Sequence, residues 1–401
     1  MVLLKNFKNI FLIPELTRKL LFTLAVLIVY RIGTFIPVIG VNVPLLAEHM
    51  KRMGAVGGLL SYLDIFSGGA LQQSTIFALG IGPYITASIM MQILSMSIPY
   101  LEQIMKEGEY GKKVINQYTR YLAFVLSIVY SLGYATYLEN AGLILTPGIA
   151  FKLTFVFSLT LGSMFVMWLG DQISLMGLGS GSSLIIFAGI VSRFPEYVIR
   201  TIHWVQIGNL SLIMALFILA VFIVLTACIV FLEKGDRKIP VHYARRIIGQ
   251  KVYGGQSTYI PFKINTAGVM PVIFASSVLN LPLFAASLLA QRYDMFRVVA
   301  EALRVNGFLY NVLEFGLIVF FTFFYTAIIY NPTELADNMK KSGGFIPGIR
   351  PGKQTADFFD YILNRIGLVG ALYLAFLALL PNILSNIMAM PFYLGVPHSL
   401  L

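Results

Sequence analysis

Of 401 residues, 58% are hydrophobic and only 12% charged, where a soluble chain needs roughly a quarter charged to coat its surface. That composition excludes a water-soluble enzyme and puts the chain in a bilayer. Lys and Arg number 29 against 18 Asp and Glu, a net charge of +11. The excess reads as orientation and attraction to anionic lipid, with nucleic acid or ribosomal RNA as the sharper alternative.

Met1 to Leu20 runs straight into an apolar stretch without a small-residue cleavage motif, so it is not read as a cleavable signal. Crossing a core of about 30 Å takes about 20 apolar residues. Runs of that kind predict nine spans, over 20–39, 71–96, 118–138, 151–170, 182–203, 209–232, 264–290, 307–330 and 361–390, with Pro381 a candidate end of the last. Between the first two lies Gly54 to Gly69, apolar, too short to cross and glycine-ended, which reads as an interfacial helix or a re-entrant element.

Loop charge sets orientation, because Lys and Arg are retained on the cytoplasmic side. With the N-terminus inside, cytoplasmic segments hold eighteen of the 29, among them Lys5, Lys106, Lys234 and Lys340. The external segments hold seven: Lys51, Arg52, Arg193, Arg200, Arg292, Arg297 and Arg304. Nine spans then put Leu401 outside. Two basic segments, 233–263 and 331–360, are longer than crossing requires, and aromatic and Pro-Gly residues are mixed with their charges, as in Phe345-Ile-Pro-Gly-Ile-Arg-Pro-Gly352. They read as shaped docking loops for a protein or ribosome.

The spans hold little chemistry. Ion-coupled transport needs polar or acidic groups at depth, and 71–96, 209–232 and 264–290 carry no charge before their terminal turns. Arg31 is the exception and reads as structural, its long side chain snorkelling or pairing. The four histidines, His49, His203, His242 and His398, are scattered, and Cys228 is the single cysteine. No metal or catalytic set results, and we expect neither enzyme activity nor a cofactor. Gly68-Gly69 and Gly177 to Gly181 read as turns. Gly80 to Ser88 and Thr266 to Ser277 combine small and hydroxyl residues with isoleucine, which suits close packing or a cavity lining. An isoleucine ring round a pore would act as a dewetted gasket.

Longer stretches carry a resemblance. Ser67-Gly-Gly-Ala-Leu71, Ile76 to Ile89, Gly108-Glu-Tyr-Gly-Lys-Lys113, Gln117-Tyr-Thr-Arg-Tyr121, Met167 to Ile173, Ile185 to Ile190, Gln256-Ser-Thr258, Asn265 to Pro271 and Gly344 to Gly352 together resemble the bacterial SecY family of protein-conducting channels. The resemblance implies an all-α polytopic membrane protein, a two-half inverted-repeat helical bundle enclosing an hourglass pore. The halves would be 1–205 and 206–401, hinged near His203 to Asn209, with a lateral gate between spans two and three and spans seven and eight.

By the same resemblance, a pore ring falls on Ile81, Ile85, Ile186, Ile190 and Ile273. A plug falls on Gly57, Gly58, Leu59, Leu60, Ser61, Tyr62, Leu63, Asp64, Ile65 and Phe66. Docking of the SecA motor and the ribosome falls on Arg350, then Arg237, Lys238, Arg245 and Arg246. Implied partners are SecE, SecG, SecA, the ribosome, secretory and membrane-protein precursors, and the bilayer; the implied place is the inner (plasma) membrane, with the N-terminus cytoplasmic. Unfolded secretory chains would cross and transmembrane segments leave sideways into lipid. An inverted-repeat secondary solute transporter is the alternative. Family members continue into a Gly-Gly-Thr-Ser-Leu-Leu stretch and a tenth helix where this sequence reads Pro391 to Leu401, so a tenth span is expected to be missing.

Overall fold

A computed structural model describes residues 13–52, 64, 67–208, 210–243, 246–248, 251–253, 257–289, 295–296, 298, 302–303 and 307–387. Two compact units are distinguished, residues 1–207 with 283–305 and residues 208–282 with 306–401. The first contains α1 (Pro14–Gly33), α2 (Val43–Arg52), α3 (Gly82–Ser97), α4 (Pro99–Lys106), α5 (Glu109–Asn140), α6 (Ile149–Met176) and α7 (Gly181–Gln206). Next come α8 (Leu212–Glu233), β1 (Asp236–Tyr243), β2 (Arg246–Ile248), β3 (Lys251–Tyr253) and β4 (Ser257–Lys263). The chain closes with α9 (Met270–Leu289), α10 (Phe308–Ile329), α11 (Pro332–Lys341), β5 (Gly344–Phe345) and α12 (Lys353–Ile387).

Among the described residues, six helices are long and apolar enough to cross a membrane, or seven if α3 and α4, bent by 100° at their junction, count as one broken span. Pro99 sits in the first turn of α4, where its missing N–H costs nothing, and stops α3 one residue before. The helix α8 shows the solvent most plainly. Ser211 caps it by accepting from the Met214 N–H, and none of its residues is buried. A 22-residue helix, apolar on every side and with no residue buried, is stable only in lipid or against a partner.

All nine expected runs carry a helix, with corrections. The run 71–96 is helical only from Gly82, because residues 67–81 form successive turns in which N–H groups bond to carbonyls three to five residues back. The run 20–39 is shifted to Pro14–Gly33, since Pro37 forbids a helix through it. Glu15, Arg18, Lys19 and Arg31 keep α1 out of the spanning count, while α9 carries no charged residue over Met270–Leu289. Position 381 is no end, as α12 begins at Lys353 and runs on to Ile387; residues 388–401 lie outside those described. Arg193 and Arg200, counted with external segments, stand on α7.

Two of the first unit's apolar centres border the turns at 67–81. One gathers Leu46, Leu71, Tyr134, Leu138, Phe155 and Leu159; the other gathers Val26, Tyr30, Phe77, Ile81, Val166, Leu169, Ile173 and Ile185. Glycines on α6 and α7 let backbones meet. A Cβ on Gly162 would stand 2.0 Å from the Ile76 carbonyl oxygen, an overlap with main chain that no rotamer relieves. Gly162→Ala is therefore expected to cost more than the roughly 1–3 kcal/mol of ordinary overpacking. It would be seen as a lowered thermal midpoint in detergent, and an unchanged midpoint would refute this account.

Candidate functional site

Two places collect the residues that the sequence singled out, one in each unit. In the first unit the chain from Ser67 to Ile81 threads among α1, α5, α6 and α7 as a series of turns. Asp64 closes the first. Its Oδ1 accepts from the Gln72 N–H at 2.9 Å and from Ser67 Oγ at 3.4 Å, and its carbonyl accepts from the Gly69 N–H at 3.0 Å. Gly68 and Gly69 have φ of +67° and +96°, left-handed values that glycine adopts without strain. Gly68 also meets α7 closely, a Cβ there lying 3.0 Å from the Gly189 Cα.

Side chains from three helices hold this turn. Tyr30 Oη donates to the Ser67 carbonyl at 3.3 Å, Arg31 Nη1 to the Gly68 carbonyl at 3.0 Å, and Tyr134 Oη to the Leu71 carbonyl at 2.9 Å. The structural reading of Arg31 gains its detail here, for the guanidinium also lies over the Phe35 ring at 4.6 Å. The fourth tie is ionic: Arg193 Nη2 sits 2.7 Å from Asp64 Oδ2. Burial pushes the Asp64 carboxyl up, and Arg193, the Gln72 and Leu71 N–H groups and the Ser67 hydroxyl act against it. The sequence reading missed this pair. Its only sequence signal is a lone Asp in a short apolar segment and an Arg within a predicted span that also holds Glu196 and Arg200.

Of the expected ring, Ile81 precedes α3 and is packed away with 3% of its surface exposed, in the centre that includes Ile185. It packs beside Gly170 together with Ile185, the Ile81 and Ile185 Cδ1 atoms lying 3.6 and 3.4 Å from where a Cβ on that glycine would be, an ordinary contact distance. Ile85 and Ile186 are half-buried against the same centre. Ile190 is half-buried one turn beyond Ile186 on α7, and Ile273 is half-buried on α9. Of the expected plug, only Asp64 is described; residues 57–63, 65 and 66 lie outside the described residues.

In the second unit the two basic segments, read as loops, are joined in one sheet of order β4-β1-β5. β1 pairs antiparallel with β4, in register from Asp236↔Lys263 to His242↔Ser257, and with β5 through His242↔Phe345 and Tyr243↔Gly344. Alternation explains the faces. Ile239 and Val241 point inward to Phe262, Met339, Ile346, Phe359 and Ile362, whereas Lys238 and Pro240 face outward and Arg237 is exposed at the start of the strand. Below the sheet the Phe262 and Phe359 ring centroids lie 5.6 Å apart.

The β5 strand leads into the turn that carries Arg350. Its side chain is exposed, while its carbonyl accepts from Thr355 Oγ1 at 2.9 Å at the start of α12. Gly348 and Gly352, at φ of +82° and +110°, shape that turn. Arg350 is thus displayed from a pinned turn. Arg246 lies on β2, paired with Tyr253 of β3, and Arg245 is outside the described residues.

A helical membrane protein with a basic, sheet-built platform is the class these features define. Residues 75–400 match the SecY family model. The protein translocase subunit SecY of Escherichia coli (strain K12) is 46% identical over 387 residues, which are 95% of this chain and 87% of that one. Among solved structures, a SecY channel described by a plug domain that stabilises the closed state and maintains a membrane seal superposes with a TM-score of 0.65 at 20% identity, covering 96% of this chain and 90% of that one. Sec61 from the canine ribosome-channel complex of the endoplasmic reticulum gives 0.63 at 18% identity, covering 96% and 88%. The two structural likenesses bear on the fold.

The chain belongs to the SecY family. It is accordingly a multi-pass membrane protein and a translocation channel subunit, not an enzyme. That membership selects the channel reading over the solute transporter.

Proposed function

We propose that this channel subunit stands in the plasma membrane with its N-terminus cytoplasmic and opens as two halves, 1–205 and 206–401, hinged near residue 205. Ile81, Ile85, Ile186, Ile190 and Ile273 form the apolar constriction through which an unfolded precursor passes, and the segment 57–66 closes it from outside. An apolar constriction holds back ions without any charge, because water in a narrow apolar ring is unstable. A sufficiently apolar segment leaves sideways into lipid by its own transfer free energy. The channel supplies a path and no energy, so its basic platform engages a SecA motor or a ribosome, with Arg350 foremost and Arg237, Lys238, Arg245 and Arg246 beside it. SecE and SecG are its partners in the membrane.

The observation that carries this reading is the 46% identity to a protein translocase subunit over 95% of the chain. The sheet that joins 236–263 to 344–345 supports the docking part, since it turns two separate basic segments into one surface. The reading is tested by reconstituting the protein with SecE and SecA in sealed vesicles and measuring ATP-dependent protection of a secretory precursor from added protease. Protection that depends on the channel is expected. Its absence, with SecA hydrolysing ATP and the channel correctly inserted, counts against the proposal.

A further inference from the structure

Two stretches of the first unit, 32–47 from the end of α1 into α2 and 140–151 joining α5 to α6, contain no Asp, Glu, Lys or Arg. A connection that lies in water is ordinarily polar. Here charge stops at the borders, where Arg31 donates to the Gly68 carbonyl and Lys152 pairs with Glu139 at 2.5 Å. What the two stretches present to the surroundings is apolar: Ile39 is 86% exposed, Leu145 65% and Ile149 78%.

The two loops are knit together. The Asn42 N–H donates to the Leu143 carbonyl and the Leu145 N–H to the Gly40 carbonyl, both at 3.0 Å, framing a bridge between Val41 and Ile144. The Val38 N–H donates to the Ser74 carbonyl at 2.9 Å. Gly40, at φ of +96°, lays its backbone on the first turn of α6, where a Cβ would stand 2.8 Å from Phe151 Cδ2. The backbone thus meets much of its own hydrogen-bonding need, the condition for seating non-helical chain against lipid. Along α6, a helix long and apolar enough to span, Ile149 opens a row continued at four-residue steps by Leu153, Phe157 and Leu161, all exposed. Leu145 precedes that row by four residues, and Ile39 adjoins the glycine packed on α6. Exposed apolar surface therefore runs on from the spanning helix into the loops, while Lys152 in the same turn is engaged by Glu139 of α5.

We infer that 35–45 and 143–149 form an interfacial foot, whose Ile39, Leu145 and Ile149 sink about 5–10 Å into the headgroup and acyl boundary of the adjacent leaflet. The occupant is lipid acyl chain, because the apolar surface is continuous with the exposed row of a spanning helix and the first charges stand at its edge. The foot fixes the depth at which this end of the α5–α6 hairpin sits. It goes beyond the channel reading and depends on neither the constriction nor which side of the membrane is cytoplasmic.

In a Cys228→Ser background, Ile39→Cys and Leu145→Cys are each labelled with a small environment-sensitive fluorophore, and the channel complex is reconstituted in vesicles of phosphatidylcholine and phosphatidylglycerol. Phe157→Cys on the exposed row of α6 is the lipid reference, and Lys112→Cys, exposed in the first turn of α5, the aqueous one. At 39 and 145, a nitroxide near the headgroup end of the acyl chain is expected to quench at least about twofold more than one at the chain end, matching an interfacial depth. Aqueous iodide is expected to quench there at least about twofold less than at 112, since the apolar face is withdrawn from water.

Iodide quenching at 39 and 145 equal to that at 112 overturns the foot in favour of loops that face water. Shielding from iodide and nitroxide alike overturns it in favour of cover by protein. The unmodified channel complex supplies a second measurement that needs no variant. Photolysis of a phospholipid with a diazirine on its acyl chain is expected to leave adducts on 35–45 and 143–149, as on 153–161 of α6, and none on 109–113. Loops without adducts beside a labelled α6 count decisively against the inference, even where a cysteine variant fails to accumulate.

Discussion

Arg350→Glu is expected to slow motor-driven translocation of a precursor by about ten- to a hundredfold while leaving the channel inserted and tight. The expectation follows from how Arg350 is held. Thr355 Oγ1 pins its carbonyl, Gly348 and Gly352 bend the turn on either side, and β5 ties the whole to β1. A guanidinium displayed from a rigid turn loses little entropy on docking, and complementary charge governs encounter rate more than it does final affinity. Reversing the charge turns attraction at the centre of the platform into repulsion, whereas Arg350→Ala only removes it and should fall between. Thr355→Val keeps the charge and loosens the turn, and a smaller slowing is expected. The rates are read from ATP-dependent protection of precursor in vesicles with matched channel content. Parental kinetics in Arg350→Glu would remove that residue from the docking surface.

Replacing Ile85 and Ile190 together with Ser is the second large effect. Two half-buried branched side chains give way to hydroxyls that hold water, so an apolar constriction loses its barrier to ions. Potassium release from loaded vesicles is expected to rise at least about tenfold over the parent, in line with the steepness of dewetting barriers. Ile81 is expected to behave differently, and the structure gives the reason. At 3% exposure it is a core residue among Val26, Tyr30, Leu169 and Ile185, so Ile81→Ser leaves a cavity and an unpaired hydroxyl. It should cost about 2–4 kcal/mol of stability and leak less per folded channel than the Ile85 and Ile190 variant. Unchanged conductance in that variant would sink the ring assignment, whatever Ile81 does.

Much of this architecture was legible beforehand because a bilayer imposes simple rules. A 22-residue stretch such as Leu212–Glu233, without a charge before its last residue, has one stable solution in lipid, a helix, since every backbone group must be satisfied within the segment. Proline positions likewise act locally. Pro99 ends α3, and Pro37 ends the possibilities of α1. Where runs were misjudged, as over 71–81, apolar composition alone spoke for a span, while Gly68, Gly69 and Gly80, all at positive φ, and the hydroxyls of Ser67 and Thr75 stabilise turns instead.

The sites divide in the same way. Lys and Arg in 233–263 and 331–360 were visible as charge, yet not that β1 would take β4 on one side and β5 on the other. The only local signal was the alternation at Ile239 and Val241, too short to separate a strand from a loop. The Asp64–Arg193 pair left even less trace, because two charges far apart in the chain say nothing about each other until the chain is folded.

By itself, then, the sequence determined that this chain lives in a membrane, where its long helices lie, and which family of channels it resembles. These properties follow from composition, from runs of some twenty apolar residues and from motifs read along the chain. The tertiary structure alone decided that Asp64 meets Arg193, that Ile81 is core while Ile85 remains half-buried, and that two distant basic segments share a sheet. Each of those is a contact between residues far apart in the chain. Its free energy comes from burial and from pairing charges out of water, and those terms exist only once the surrounding helices have excluded the solvent.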